Sequence, residues 1–488
     1  MRVSKIYGIK RSQGELDFVD VDIDKDIPLF LDPRAIAQIN NSWARSCVSS
    51  LQSFFQRVIE AIHSGDDSVA ISLLTGLGEP NETHLGLSKG KSRGSAVGEK
   101  LAVEFWQALS KSRAVQSGLI QDLEDTALLI ENVDKDRISD ITTNIIRRQL
   151  VEFTYDTCKF WNIPLTENVA YGNFWNSRQG VWYQDHVDIP TPKGEPLLLV
   201  PKSIVRRKLH MNANNYYRHS ILNFLVSQES AANALTSVVR GQHQRVTKKD
   251  VDARWKGEFD AGRHNPGVEK RINAHVSAEN PDILDSYREE RHRTRTAPLD
   301  NADLSDVVGS RRPNVRRLLQ EVTATPKGRS DAHSYEENVF ALFEALFYPH
   351  LIYPNKQTRM HEGRKRVDLS FTNDGSSGFF RWVARNYPAG QIFVECKNYD
   401  TPLGNPEVDQ LLGRFSPSRG QVGILVYRGA GDKQKVDKLC VDAARQKNEF
   451  VLAIDDDDLR AIVDEHLDLE VDYPFKFLQQ RFQHLANN

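Results

Sequence analysis

Cysteine is scarce in this chain. Only Cys47, Cys158, Cys396 and Cys440 occur in 488 residues, none in a CxxC spacing. That spacing suggests neither a disulfide framework nor a cysteine zinc site, and fits a reducing compartment. Long apolar runs are missing too: no stretch approaches the ~18 residues that a bilayer span needs. The opening MRVSKIYGIKRSQGELDF has no apolar segment of the signal-peptide kind. The expectation is a cytoplasmic protein with no membrane partner. Hydrophobic residues make up 39% and charged residues 27%, so the chain has the composition to bury ordinary cores, and its length suggests two to four domains of ~100–200 residues.

Net charge is only −2, but it is unevenly spread. Residues 201–330 hold 24 basic against 15 acidic side chains, between two flanks that are each acidic. A basic segment between acidic flanks suits a polyanionic partner, because neutralised phosphates release counterions. A solvated basic linker would show the same composition. The division expected is an α-rich region at 1–200, serving sensing, regulation or oligomerisation, a basic helical or linker region at 201–330, and a catalytic domain at 331–488.

Apolar residues recur at helical spacing through Val48, Leu51, Phe54, Phe55, Val58, Ile59 and Ile62, and again from Ile138 to Val151. Between them LGLSKGKSRGS resembles a phosphate-binding loop in composition. Gly86 and Gly90 enclose three residues where a Walker loop has four, so it reads as a flexible basic loop entering a helix. Asp185, His186 and Asp188 offer metal-type side chains without a distant partner and read as a surface loop. In the basic middle, Arg291, Arg293, Arg295, Arg311, Arg312, Arg316 and Arg317 are candidate phosphate contacts, since guanidinium forks match phosphate oxygens. Arg–Glu pairing within the segment is the alternative use for them.

The informative pattern begins at Ser334. SYEENVFALFEALF places Tyr335, Val339, Leu342, Phe343 and Leu346 on one face of a helix capped by Ser334. LIYPNKQTRM and KRVDLSFTN follow as a hairpin about HEGR, then GQIFVECKNY as a third strand. Helix PEVDQLLGRF, strand QVGILVYRG, helix KVDKLCVDAARQ, strand EFVLAI and a last helix opened by Asp455 to Asp458 complete the run. The order α-β-β-β-α-β-α-β predicts an α/β domain.

Alternation along IFVECK puts Glu395 and Lys397 on one face, ~6.6 Å apart along the strand, and turns Cys396 to the other. Asp368 can meet them from the neighbouring strand. Two carboxylates a few ångströms apart repel by roughly 4 kcal/mol at an effective dielectric of 20, which a hard divalent cation would relieve. Mg²⁺, or Mn²⁺ in its place, would take Asp368, Glu395 and the carbonyl of Cys396 as ligands. Lys397 would orient the attacking water or steady charge on phosphorus. Glu336, preferred to Glu337, would complete the shell, and Gln410 would bond the scissile phosphate or Lys397. The basic run Arg364, Lys365 and Arg366 adds candidate phosphate contacts.

VDLSF followed by IFVECK resembles the PD-(D/E)XK, restriction-endonuclease-like nuclease superfamily over residues ~331–460. Asp368, Glu395 and Lys397 match its motif, and a helical Glu and Gln such as Glu336 and Gln410 occur in many members. The resemblance implies a central mixed sheet flanked by helices, Mg²⁺ dependence and hydrolysis of duplex DNA. Val367 stands where the motif's name has proline. The interval from Asp368 to Glu395 is long, so SSGFFRWVARNYPAG is expected as a helical insertion whose Phe379, Phe380, Arg381, Trp382 and Arg385 contact DNA. Cutting both strands favours a homodimer, and restriction of invading phage DNA is the role such a layout suggests. The rival readings are a non-cleaving nucleic-acid scaffold and a nuclease for RNA or branched DNA.

Overall fold

The computed structural model describes residues 1–488 except 88–94, 111, 117, 121–122, 210, 241–245, 261–266, 295–296, 357–358, 361–364, 367–368, 376, 429–432 and 469–472. Helices dominate the N-terminal part. The first apolar stripe forms the 22-residue helix Ser42–His63, with Leu51, Phe54, Phe55 and Val58 buried. Asn41 caps it by accepting a hydrogen bond from the Ala44 amide at 2.8 Å. The second stripe is split into Lys135–Ile145 and Arg147–Phe160. A long antiparallel hairpin, Thr166–Asn176 with Val181–Ile189, stands beside these helices and was not expected. Asp185, His186 and Asp188 therefore lie on a strand and not in a loop. Asp185 pairs with Arg148 at 3.0 Å, and Asp188 accepts from the Asn168 amide at 3.0 Å.

The described residues between 213 and 324 are largely helical. The last of these helices, Val315–Ala324, leads into the C-terminal unit. That unit begins with helix α1 (Ala332–Phe347), two residues before the expected cap, since a short turn Arg329–Asp331 starts the winding and leaves Ser334 inside it. Strand β1 (Leu351–Lys356) pairs antiparallel with β2 (Leu369–Asn373), as the hairpin reading required. Helix α2 (Gly378–Asn386) fills the long interval before β3 (Gln391–Asn398). Then come α3 (Asn405–Leu412), β4 (Val422–Arg428), α4 (Lys433–Lys447), β5 (Phe450–Ile454) and α5 (Asp456–Leu467). Helix α5 is not the last, because α6 (Lys476–Asn487) follows.

The five strands form one mixed sheet in the order β5-β4-β3-β2-β1. Strands β3, β4 and β5 are parallel, while β2 runs antiparallel to β3. Every residue of β4 and β5 is buried, as apolar parallel strands covered on both faces require. Helix α1 is buried almost all round, with Tyr335, Val339, Phe340, Leu342 and Phe343 all shielded from solvent.

A candidate active site at the carboxyl end of the central strand

Strand β3 occupies the middle of the sheet, so side chains at its carboxyl end sit between apolar neighbours. Glu395 pairs in register with Leu425, and Lys397 with Tyr427. Two charges in such a place are costly unless they are paired, and here they pair with each other. Lys397 Nζ lies 2.7 Å from Glu395 Oε1, with Glu395 wholly buried and Lys397 nearly so.

Gln410 completes the group. Its Nε2 donates to Glu395 Oε1 at 2.6 Å, and its Oε1 accepts from Lys397 Nζ at 3.1 Å. The amide thus bridges acid and amine, fixing both side-chain torsions from the solvent side. Helix α3 brings it there for traceable reasons. Pro406 and the Glu407 carboxylate, which accepts from the Gly404 amide at 3.0 Å, start the helix. Val408, Leu411 and Leu412 are buried. Opposite them, Gly423 in β4 leaves room for Phe415 and Leu411; a Cβ on Gly423 would stand 2.9 Å from Phe415 Cζ and 3.1 Å from Leu411 Cδ2.

The other expected residues divide. Asp368 and Arg364 lie outside the described residues, and of Lys365 and Arg366 only the backbone is described, in a two-residue strand paired with Arg359–Met360. The residue after Asp368, Leu369, opens β2 opposite Val394, the neighbour of Glu395. Glu336 is buried on α1, the helix that packs along β3. Glu337 faces elsewhere: it lies 3.4 Å from His333 and lines a cavity with Tyr7, Lys10, Arg11 and Trp161. Burial pushes its carboxyl above the ordinary range, opposed by His333 and Arg11. Cys396 is half-buried against the core on the face opposite Glu395. Among the described residues no group of three or more His, Cys, Asp or Glu side chains is placed to hold a metal.

Helix α2 corrects the expectation of aromatic DNA contacts. Phe379 and Phe380 are buried, Phe380 against Phe347 and Phe475 with ring centroids 5.2 and 5.3 Å away, and Trp382 packs on Phe482 at 5.4 Å. These rings fasten α2 to α6. Arg381 and Arg385 are exposed, but α2 joins the end of β2 to the start of β3, roughly 20 Å along the strand from Lys397.

In the basic middle, Arg317 is engaged within the molecule, with Glu15 at 2.7 Å and with Glu321. Glu15 stands 302 positions away, beyond the reach of any local pattern. Arg312 meets Asp306 at 3.1 Å in an exposed pair, and Arg293 meets Glu289 at 3.0 Å. The Arg291 guanidinium lies over the Tyr287 ring at 4.9 Å. Arg311 and Arg316 are exposed, and Arg295 lies outside the described residues, as does most of the LGLSKGKSRGS loop. No helix among the described residues is long and apolar enough to cross a membrane.

A family described as "Domain of unknown function (DUF8370)" matches residues 8–212. The chain is also similar to the "Putative transposon gamma-delta 80.3 kDa protein" of Escherichia coli (strain K12), at 22% identity over 184 residues. That match takes in 38% of this chain and 24% of the relative, so the similarity spans about a quarter of the relative's length. No solved structure matches.

Proposed function

We propose that the C-terminal unit is a PD-(D/E)XK-like nuclease that hydrolyses DNA phosphodiester bonds with Mg²⁺ or Mn²⁺. The observation that carries the reading is the hydrogen-bonded set Glu395, Lys397 and Gln410 at the carboxyl end of a buried central strand. Buried acid–amine pairs also brace this chain elsewhere, as at Lys202–Glu344 and Lys356–Asp17; what favours catalysis for this one is its place at the carboxyl end of the central strand of an open α/β sheet. The resemblance of VDLSF and IFVECK to the nuclease motif supplies the chemistry, and the relative whose name refers to a transposon favours DNA.

A buried carboxylate beside backbone and amide carbonyls is a hard-oxygen donor set, which suits Mg²⁺, a cation content with one or two carboxylates. Glu395, Asp368, the Cys396 carbonyl and Glu336 would hold it. When bound, it would acidify a water and neutralise charge on the phosphate. Lys397, poised 2.7 Å from Glu395, would orient the attacking water or steady the charge that develops on the phosphoryl oxygens. Gln410 would hold Lys397 at that angle and exchange one of its hydrogen bonds for the scissile phosphate. Because one such site cuts one strand, a two-fold dimer would cut a duplex. Restriction of invading DNA is the role we assign to this activity.

The test is incubation of the full chain with plasmid, linear duplex, single-stranded DNA and RNA, with and without Mg²⁺, beside Lys397→Ala. Magnesium-dependent DNA cleavage that falls at least ~10²-fold in the variant is expected, with DNA binding retained. RNA cleavage alone would replace the substrate. Wild-type binding with no EDTA-sensitive cleavage of any substrate would make the chain a non-cutting scaffold and end the proposal.

A further inference from the structure

We propose that the helix Val315–Ala324 and the crossing Thr325–Arg329 form a basic track that leads the backbone of duplex DNA to the carboxyl end of β3, with Lys327 and Arg329 as its inner phosphate contacts. The inference rests on the nuclease reading of that end.

The crossing is stitched to the residue that follows Lys397. Gly328 N donates to Asn398 O at 3.0 Å, and Asn398 Nδ2 donates to Pro326 O at 2.8 Å and Gly328 O at 3.2 Å. From β4, the Arg428 guanidinium donates to the carbonyls of Thr323, at 2.8 Å, and Thr325. Gly328 sits at φ +123°, a conformation that side-chain-bearing residues rarely adopt, so the sharp path belongs to glycine. Lys327 and Arg329 flank it, both exposed.

Upstream, Val315, Leu318 and Val322 bury one face of the helix, Arg316 and Gln320 lie at four-residue spacing on its exposed side, and Arg312 is exposed just before the helix begins. Three acidic neighbours of the helix and crossing are already paired. Glu321 is paired with Arg11 and Arg317, Glu15 with Arg317, and Asp456, the carboxylate beside Lys327, with Arg428 at 3.1 Å. Among the described residues Arg311, Arg316, Lys327 and Arg329 make no ion pair. Ten helical residues extend ~15 Å, against one phosphate per ~3.4 Å of axis on a DNA strand. The track is therefore longer than one nucleotide and suits a polymer better than a mononucleotide.

The experiment is a salt titration, from 50 to 200 mM, of full-chain binding to a labelled DNA duplex in EDTA, where nothing is cut. Each phosphate contact contributes ~0.9 to the slope of log K against log salt. The triple variant Arg316→Ala/Lys327→Ala/Arg329→Ala should reduce that slope by about two to three and weaken binding roughly a hundredfold near 100 mM. Arg381→Ala/Arg385→Ala, at the other end of the sheet, should leave the slope as in the wild type. An unchanged slope in the triple variant overturns the track, and so does an equal loss per residue in the α2 pair. If the wild type cuts DNA and the triple variant binds and cuts as well, the track fails while the nuclease reading stands. If nothing cuts but the slope falls as stated, the track stands without it.

Discussion

Replacing Lys202 by methionine should expose how the two halves of the chain are joined. Lys202 is 1% exposed, in a turn at residues 202–204, and its Nζ lies 2.8 Å from Glu344 Oε2 on α1. It also donates to Asn301 Oδ1 at 3.1 Å and sits 4.0 Å from the centre of the Tyr348 ring. Burial pulls the Lys202 ammonium below its ordinary range against the opposing pull of Glu344, and burial pushes the Glu344 carboxyl up. The attraction, about 6 kcal/mol at 2.8 Å and an effective dielectric of 20, is largely cancelled by the desolvation of both ions. The pair as a whole adds little stability, whereas either partner alone is stranded. Lys202→Met should therefore cost about 3–5 kcal/mol, with about 1 more for the donor lost to Asn301. The double variant Lys202→Met/Glu344→Leu should fall within about 2 kcal/mol of the wild type. Guanidinium denaturation, followed by tryptophan fluorescence and circular dichroism with coincident transitions, measures the cycle. If the double variant loses the sum of the two single losses, the ions are not coupled and the argument is refuted.

Asp140 offers a pH test. Burial, followed by the charges of Asp136 and Glu79, raises its carboxyl to about 8. The native chain thus holds a proton that the unfolded chain releases above ~4, and stability should decline as pH rises from ~4 to 8. Asp140→Asn should flatten that decline and add on the order of 2 kcal/mol at pH 8, solvent screening having reduced the full value; parallel pH profiles for the two proteins would sink the idea. Gly423→Val should cost about 1–3 kcal/mol by overpacking against Phe415 and Leu411. Lifting α3 by ~1 Å would also draw Gln410 from Lys397, and the cleavage rate per folded molecule should drop ~10²-fold. Lost stability with an unchanged rate would show that Gln410 does not position the site.

The candidate site was readable where local periodicity decides geometry. IFVECK alternates, so Glu395 and Lys397 had to share a face, and their 2.7 Å contact follows from strand geometry. Gln410 was reachable because its helix comes directly after that strand. The hairpin Thr166–Ile189 was not, because its alternation is broken. Register shifts between Thr166 and Val169 and between Tyr171 and Asn173, the latter at Gly172 with φ +47°, move successive side chains off their expected faces. Its turn, SRQG, carries none of the strong hairpin dipeptides. Phe379, Phe380 and Trp382 read as exposed because their partner, α6, comes about a hundred residues later. Contacts such as Arg317 with Glu15 or Lys356 with Asp17 join residues hundreds of positions apart, and composition alone cannot pair them.

Those distant pairs converge on the same end of the sheet. Lys356, the last residue of β1, is opposite Leu369, which is opposite Val394, so it shares the row next to Glu395. Its ammonium is 2.6 Å from Asp17 and donates to Thr157 at 3.1 Å, within a ring of Phe153, Phe160 and Phe340. The edge strand is thus anchored by two N-terminal segments at the row where β2 opens, just after Asp368. On the same side Arg11 and Glu15, through Glu321 and Arg317, brace the helix that runs to Lys327. The buried Lys356–Asp17 pair cannot part without stranding a charge. Residues 11–17 are therefore tied to the sheet edge by that pair and to the basic helix by the part-exposed contacts of Glu321 and Arg317, and a displacement of them would bear on both.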